Sequence, residues 1–176
     1  MFTEATQQIQ CTIGQIALDR PSDVTVLLKN DFCSDWAAVS PDGRWVAYES
    51  NVSGPSEIYV ERYPALGGRQ QISAAGGRSP TWSRDGRRLF FISSDGRQMF
   101  AVPVQSGATL AAGRPQVLFE YAAIAPGGGI RPYDVTPDGR FIIISSSETG
   151  SGAGAPPSLV LVQHWFEELK RLVPVN

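Results

Sequence analysis

Catalysis needs a nucleophile, an acid–base partner or a metal, and this chain of 176 residues offers few of each. The pentad Gly-x-Ser-x-Gly of a nucleophile elbow is absent. The single histidine, His164, stands beside Trp165 at the end of an apolar run, whereas a Ser-His-Asp site would hold it in a polar cleft against a carboxylate. A structural imidazole at a strand end is the better reading. With one histidine and two cysteines, Cys11 and Cys33, the sequence argues against a zinc centre. Two cysteines do not define a disulfide scaffold either; a pair is open, and two half-buried thiols is the favoured reading. Gly150-Ser151-Gly152-Ala153-Gly154 lacks the Lys-Ser/Thr and the strand-to-helix setting of a phosphate loop, so it reads as a hairpin tip. Asp recurs in Asp-Gly pairs, but each stands alone, without the several oxygens a calcium loop gathers. No cofactor and no metal is expected.

One set of charges has a pattern. Seven residues before Asp42, Asp85 and Asp138 lie Asp35, Arg78 and Arg131. Three charged residues in one column of otherwise apolar segments suggest a polar channel mouth, where guanidinium forks could hold an anionic ligand or a peptide terminus. Solvation by water or an Asp–Arg structural pair is the competing explanation.

The elements that carry this column repeat. Val39-Ser40-Pro41-Asp42-Gly43-Arg44-Trp45-Val46-Ala47-Tyr48 recurs as Trp82-Ser83-Arg84-Asp85-Gly86-Arg87-Arg88-Leu89-Phe90-Phe91. It recurs again as Val135-Thr136-Pro137-Asp138-Gly139-Arg140-Phe141-Ile142-Ile143-Ile144. Each copy is a strand, a tight turn and an apolar strand. Pro41 and Pro137 preset φ, with Arg84 in that place in the middle copy; Asp bonds its own backbone, and Gly43, Gly86 and Gly139 take the left-handed position. The strands WVAYES, RLFFISS and FIIISSS are near-continuous apolar runs, as expected where both faces are buried. The Asp-Gly pairs are 43 and 53 residues apart, close to the period of propeller blades.

The expected architecture is all-β. It is a partial β-propeller of about three and a half four-stranded antiparallel blades, with a short C-terminal helix over 166–173. Residues 1–32 make a polar N-terminus plus the outer strand pair (13–18 and 24–29, joined through 19–23) of an incomplete blade. Residues 33–176 make three blades. Their strands fall near 36–40, 44–50, 57–63 and 69–73, then 80–83, 88–94, 98–105 and 115–120, then 131–136, 140–147 and 158–165. Ser94-Asp95-Gly96 is a further tight turn, and 105–115 reads as a longer Gly/Ala loop. The connection ETGSGAGAPPS reads as a mobile surface loop.

Formal net charge is −2, which leaves no electrostatic footprint for nucleic acid. The sequence shows neither a signal peptide nor an apolar run long enough to span a bilayer.

The segments SPDGRWVAYES, PTWSRDGRRLFFISSDGRQMFAVPV and YDVTPDGRFIII resemble the PD40, WD40-like repeats of TolB-like β-propellers. The tail LVLVQHWFEELKRLV is similar to the C-terminal end of propellers that follow a kinase or winged-helix domain in bacterial multidomain chains. The resemblance spans about residues 33–173. It implies a non-catalytic module that binds a protein or small ligand on its loop or channel face. The alternative it implies is a sensor or substrate-filter domain severed from a protein kinase or a prolyl-oligopeptidase-like enzyme. The expected partner is a protein or the remainder of a larger propeller. An open arc of blades is also expected to self-associate, or to fold its N-terminal hairpin beside the last blade.

Overall fold

A computed structural model of the chain describes residues 11–29, 31–120 and 131–144. Among them every regular element is a strand. The C-terminal helix expected at 166–173, the strand at 158–165 and His164 lie outside the described residues, as does the connection after 144.

An antiparallel hairpin comes first: β1 (Ile13–Ala17) and β2 (Arg20–Leu28). The connection expected at 19–23 shrinks to Leu18 and Asp19, because β2 reaches back to Arg20. Pro21 is tolerated there, since its side of a two-stranded ribbon needs no donor. The first blade is an antiparallel meander of β3 (Ser34–Val39), β4 (Trp45–Ser50), β5 (Glu57–Arg62) and the short β6 (Gln70–Gln71).

The second blade contains β7 (Arg78–Trp82), β8 (Arg88–Ile92) and the long β9 (Gln98–Ser106). The two halves of β9 carry different partners on one edge: β11 (Gln116–Glu120) pairs with its start and β10 (Leu110–Ala112) with its end. The loop expected at 105–115 therefore contains a strand. It is ordered by contacts with the first blade: the Ser106 hydroxyl accepts from Trp45 Nε1 at 2.9 Å and donates to Asp42 at 2.5 Å. Arg62 also donates to the Ala108 carbonyl at 3.2 Å. The third blade is represented by β12 (Tyr133–Val135) and β13 (Phe141–Ile143).

Alternation along each strand decides how the sheets stack. All six residues of β4 are buried. Trp45 and Ala47 point into a core shared with Trp82, Leu89, Phe91, Val102 and Val104 of the second blade. Tyr48, from the opposite face of β4, packs with Tyr59 and Leu28 under the N-terminal hairpin. Strand β8 repeats the arrangement. Leu89 and Phe91 face the first blade, while Phe90 and Ile92 join Tyr133, Phe141 and Ile143 of the third. Strands β4 and β8 thus each feed two cores, which is the radial stacking of a propeller, and the fold is a partial propeller. Strand β13, expected to be buried on both faces, instead exposes Ile142, because no described sheet packs against its outer face. Burying a side chain such as Phe91 between sheets contributes about 1.5–3 kcal/mol, and Phe91 also stacks on Phe100 with centroids 5.0 Å apart. The N-terminal hairpin sits against the first blade, not beside the last: Gln15 accepts a hydrogen bond from the Tyr63 hydroxyl at 2.7 Å.

Candidate functional site

Two ends of each inner hairpin carry polar residues. The first is the Asp-Gly corner, built locally. Gly43, Gly86 and Gly139 have φ of 67°, 68° and 84°, the left-handed region that a side chain occupies only with strain. In each corner a hydroxyl three residues before the glycine donates to the Asp carboxylate. The pairs are Ser40 to Asp42 and Ser83 to Asp85, both at 2.6 Å, and Thr136 to Asp138. The same hydroxyl accepts the backbone N–H that opens the next strand, from Trp45 at 3.0 Å and Arg88 at 2.9 Å. Ser93-Ser94-Asp95-Gly96 is a fourth copy. Hydrogen bonds hold these carboxyls below the usual range. The Ser106 hydroxyl leads at Asp42, Ser83 at Asp85, Ser93 at Asp95 and Thr136 at Asp138. The corners are structural.

At the opposite end lies the charged column, and here both complete inner strands break their ladders at the same place. Asp35 pairs with Glu49, and the register then slips before Ala38; Arg78 pairs with Ile92, and the register slips before Thr81. Directly after each charged residue sits a non-glycine residue in the left-handed region, Trp36 at φ 52° and Ser79 at φ 53°. Such a conformation costs about 1–3 kcal/mol and persists only where its surroundings enforce it. Around Ser79 the enforcement is visible. Its N–H donates to Glu49 at 3.2 Å, and its carbonyl accepts from the Tyr133 hydroxyl at 2.7 Å. In the same bulge the buried Thr81 hydroxyl finds no hydrogen-bond partner among the described residues.

Asp35 and Arg78 are brought together with Glu49, a residue that repeat counting overlooks. Arg78 Nε stands 3.8 Å from the Glu49 carboxylate. Burial pushes the Asp35 carboxyl up, opposed by Arg78. Burial also pushes Glu49 up, helped by the Asp35 charge and opposed by the Ser56 hydroxyl and Arg78. Arg131 is half-buried, two residues before Tyr133, and forms no ion pair among the described residues. The signal for Glu49 was available: it is the one charge in the apolar run WVAYES, on the face that alternation turns toward the second blade. Nothing in the sequence pointed to Trp36 or Tyr133.

The cysteines correct the expectation of free thiols. Cys11 and Cys33 form a disulfide that ties the entry of the N-terminal hairpin to the entry of β3. A sequence separation of 22 concealed this, because β1 and β2 double back before β3 begins.

Surface clefts of about 460–560 Å³ lie elsewhere, at the corners and outer strands. One, between the second and third corners, is lined by Arg84, Arg88, Phe90 and Phe141. None of these four clefts is lined by Asp35, Glu49 or Arg78.

Comparison with solved structures finds 14 chains similar to this one. A solved chain from Agrobacterium tumefaciens, provisionally assigned to TolB, is similar over 62% of this chain, with 24% identity and a TM-score of 0.47. The match covers 41% of that chain, less than half its length. No family model and no curated protein matches the sequence.

Proposed function

We propose that this chain is a non-catalytic recognition module of the PD40 propeller kind. Its inner-strand mouth, around Asp35, Glu49, Arg78 and Arg131, takes an anionic ligand such as a peptide carboxy terminus. The observation that carries this reading is the doubled bulge. Two successive inner strands place a charged residue and a left-handed, non-glycine residue at the same position of the repeat. Strain held at equivalent sites on a rigid scaffold is a common device of ligand clamps. The guanidinium of Arg78 is held only loosely by Glu49, at 3.8 Å, so an incoming carboxylate can compete for it. Arg131, without an intramolecular counter-charge among the described residues, supplies the second fork.

The test is calorimetric titration of the full chain with an acidic peptide bearing a free carboxy terminus and with its carboxy-amide. Tighter binding of the free acid, lost in Arg78→Glu/Arg131→Glu with the fold retained, supports the reading. Equal binding of both peptides, or an unchanged affinity in the double variant, overturns it.

Its own second copy is also a proposed partner. The outer face of the hairpin exposes Ile16, Val24 and Val26, and β13 exposes Ile142, with Ile144 just beyond it. Apolar sheet faces of this kind are commonly covered. Light scattering should give a mass that rises with concentration and falls in Val24→Lys. A compact monomer at high concentration defeats this.

A further inference from the structure

Three donor atoms converge where the N-terminal hairpin meets the first blade. The sulfurs of Cys11 and Cys33 and a carboxylate oxygen of Asp35 all lie within 4.8 Å of one another, each on a half-buried residue. Four-coordinate zinc with Zn–S near 2.3 Å and Zn–O near 2.0–2.2 Å places its ligand atoms roughly 3.5 Å apart, a spacing the two sulfurs reach only by side-chain rotation once the S–S bond is broken. The Asp35 carboxylate accepts no hydrogen bond among the described residues, although Glu49, paired with it across the ladder, accepts from the Ser79 N–H and the Ser56 hydroxyl. It is an acceptor without a donor, set against two sulfurs.

The halves of the cluster are held independently of the S–S bond. Cys33 is fixed by its N–H to Asn51 Oδ1 at 2.9 Å, and by its carbonyl to the Asn51 N–H at 3.2 Å and the Ser50 hydroxyl at 3.1 Å. Cys11 leads into β1, whose hairpin is docked by Ile13, Leu28 and the bond between Gln15 and Tyr63. Breaking the disulfide therefore leaves the two thiols facing one another.

We infer that Cys11, Cys33 and Asp35 form a redox-gated site for a thiophilic divalent cation such as Zn²⁺, closed while the cysteines are joined and open once they are reduced. Opening takes two electrons. A dithiol is oxidised to its own disulfide as the Cys11–Cys33 bond breaks, and each sulfur takes a proton. Both protons leave when the thiolates bind the cation. Three protein ligands leave the fourth position to water. The chain would thereby exchange a covalent tie between hairpin and blade for a metal tie at the same point. This inference does not rest on the ligand reading above: it shares Asp35 with that mouth but takes its other two donors from Cys11 and Cys33.

The experiment is titration of the full chain with Co²⁺, then Zn²⁺, before and after reduction by a phosphine, which is itself oxidised to the phosphine oxide. The reduced chain should develop a thiolate-to-cobalt charge-transfer band that saturates at one equivalent and is bleached by Zn²⁺. The oxidised chain should show none. Asp35→Asn should weaken Co²⁺ at least tenfold, and Cys11→Ser should abolish the band. Near-ultraviolet circular dichroism confirms that each variant is folded. If a cysteine variant unfolds, the reduced and oxidised wild-type chains decide alone. No band in the reduced chain, an equal signal in the oxidised chain, or undiminished binding in folded Asp35→Asn or Cys11→Ser overturns the inference.

Discussion

The two ends of each inner hairpin use the same residue type in opposite ways. At the corner, Asp42, Asp85 and Asp138 lie near or at the surface, and each accepts hydrogen bonds from residues within a few positions in the chain, Asp42 adding the Ser106 hydroxyl of the second blade. Those bonds favour the charged form. At the far end Asp35 and Glu49 are desolvated between blades and repel one another across β3 and β4, so the charged form is disfavoured. A carboxylate whose partners are local is a turn-former wherever the chain goes. One whose surroundings come from a second sheet acquires its chemistry only when the sheets stack.

The largest effect that would separate the two ends is loss of the stacking itself. Phe91→Ala removes a fully buried ring between the first two blades and should cost about 3–5 kcal/mol in denaturant unfolding. It should also disturb the Asp35–Glu49–Arg78 cluster while the Asp85 corner keeps its amide shifts. A smaller loss would mean that the blades do not depend on this interface. Gly86→Val should cost about 1–3 kcal/mol through left-handed strain, read by the same unfolding curve. Gly43→Val is the sharper version, because an added Cβ there meets nothing within 4 Å and strain acts alone. Ser40→Ala should cost about 1 kcal/mol, since it deprives the Trp45 N–H and Asp42 of one hydroxyl.

The smallest effect, in pH, tests the opposition directly. The corner carboxyls are lowered from 3.8, so their contribution is present above that value and is lost as pH falls through the folded-state range below it. Asp35 and Glu49 are raised from 3.8 and 4.5, so each binds a proton more readily when folded. Their effect is a gain in stability as pH falls from neutral toward the ordinary carboxylate values. Unfolding curves across pH 3–7 should therefore rise and then fall on acidification (a window of roughly the carboxylate pKa range). Glu49→Gln should flatten the upper limb alone; an unchanged upper limb would deny that Glu49 is desolvated.

Most of the blade order was legible because propeller strands announce themselves twice, by apolar runs and by the turns that separate them. Strand β4 lies within the expected 44–50, and β8 within 88–94. Strand β10 was illegible: Leu110-Ala111-Ala112 has no strand signature and is ordered by Ser106 and Ala108 reaching the neighbouring blade. The charged column was visible as a spacing, but its bulges were not, because Trp36 and Ser79 carry none of the glycine signal that marks a left-handed residue. Glu49 was visible as a misplaced charge and overlooked.

The amino-acid order alone determined the corners, since Ser or Thr, Asp and Gly within four positions satisfy one another whatever surrounds them. It also determined that β4 and β8 must be buried on both faces, though the same reading failed for β13, where Ile142 is exposed. Tertiary structure alone decided that Cys11 meets Cys33, that Tyr133 holds Ser79, and that Asp35 and Glu49 resist ionisation. Each of those depends on a neighbour brought close by the stacking of sheets, and a dielectric environment is a property of the assembled fold and of no residue by itself.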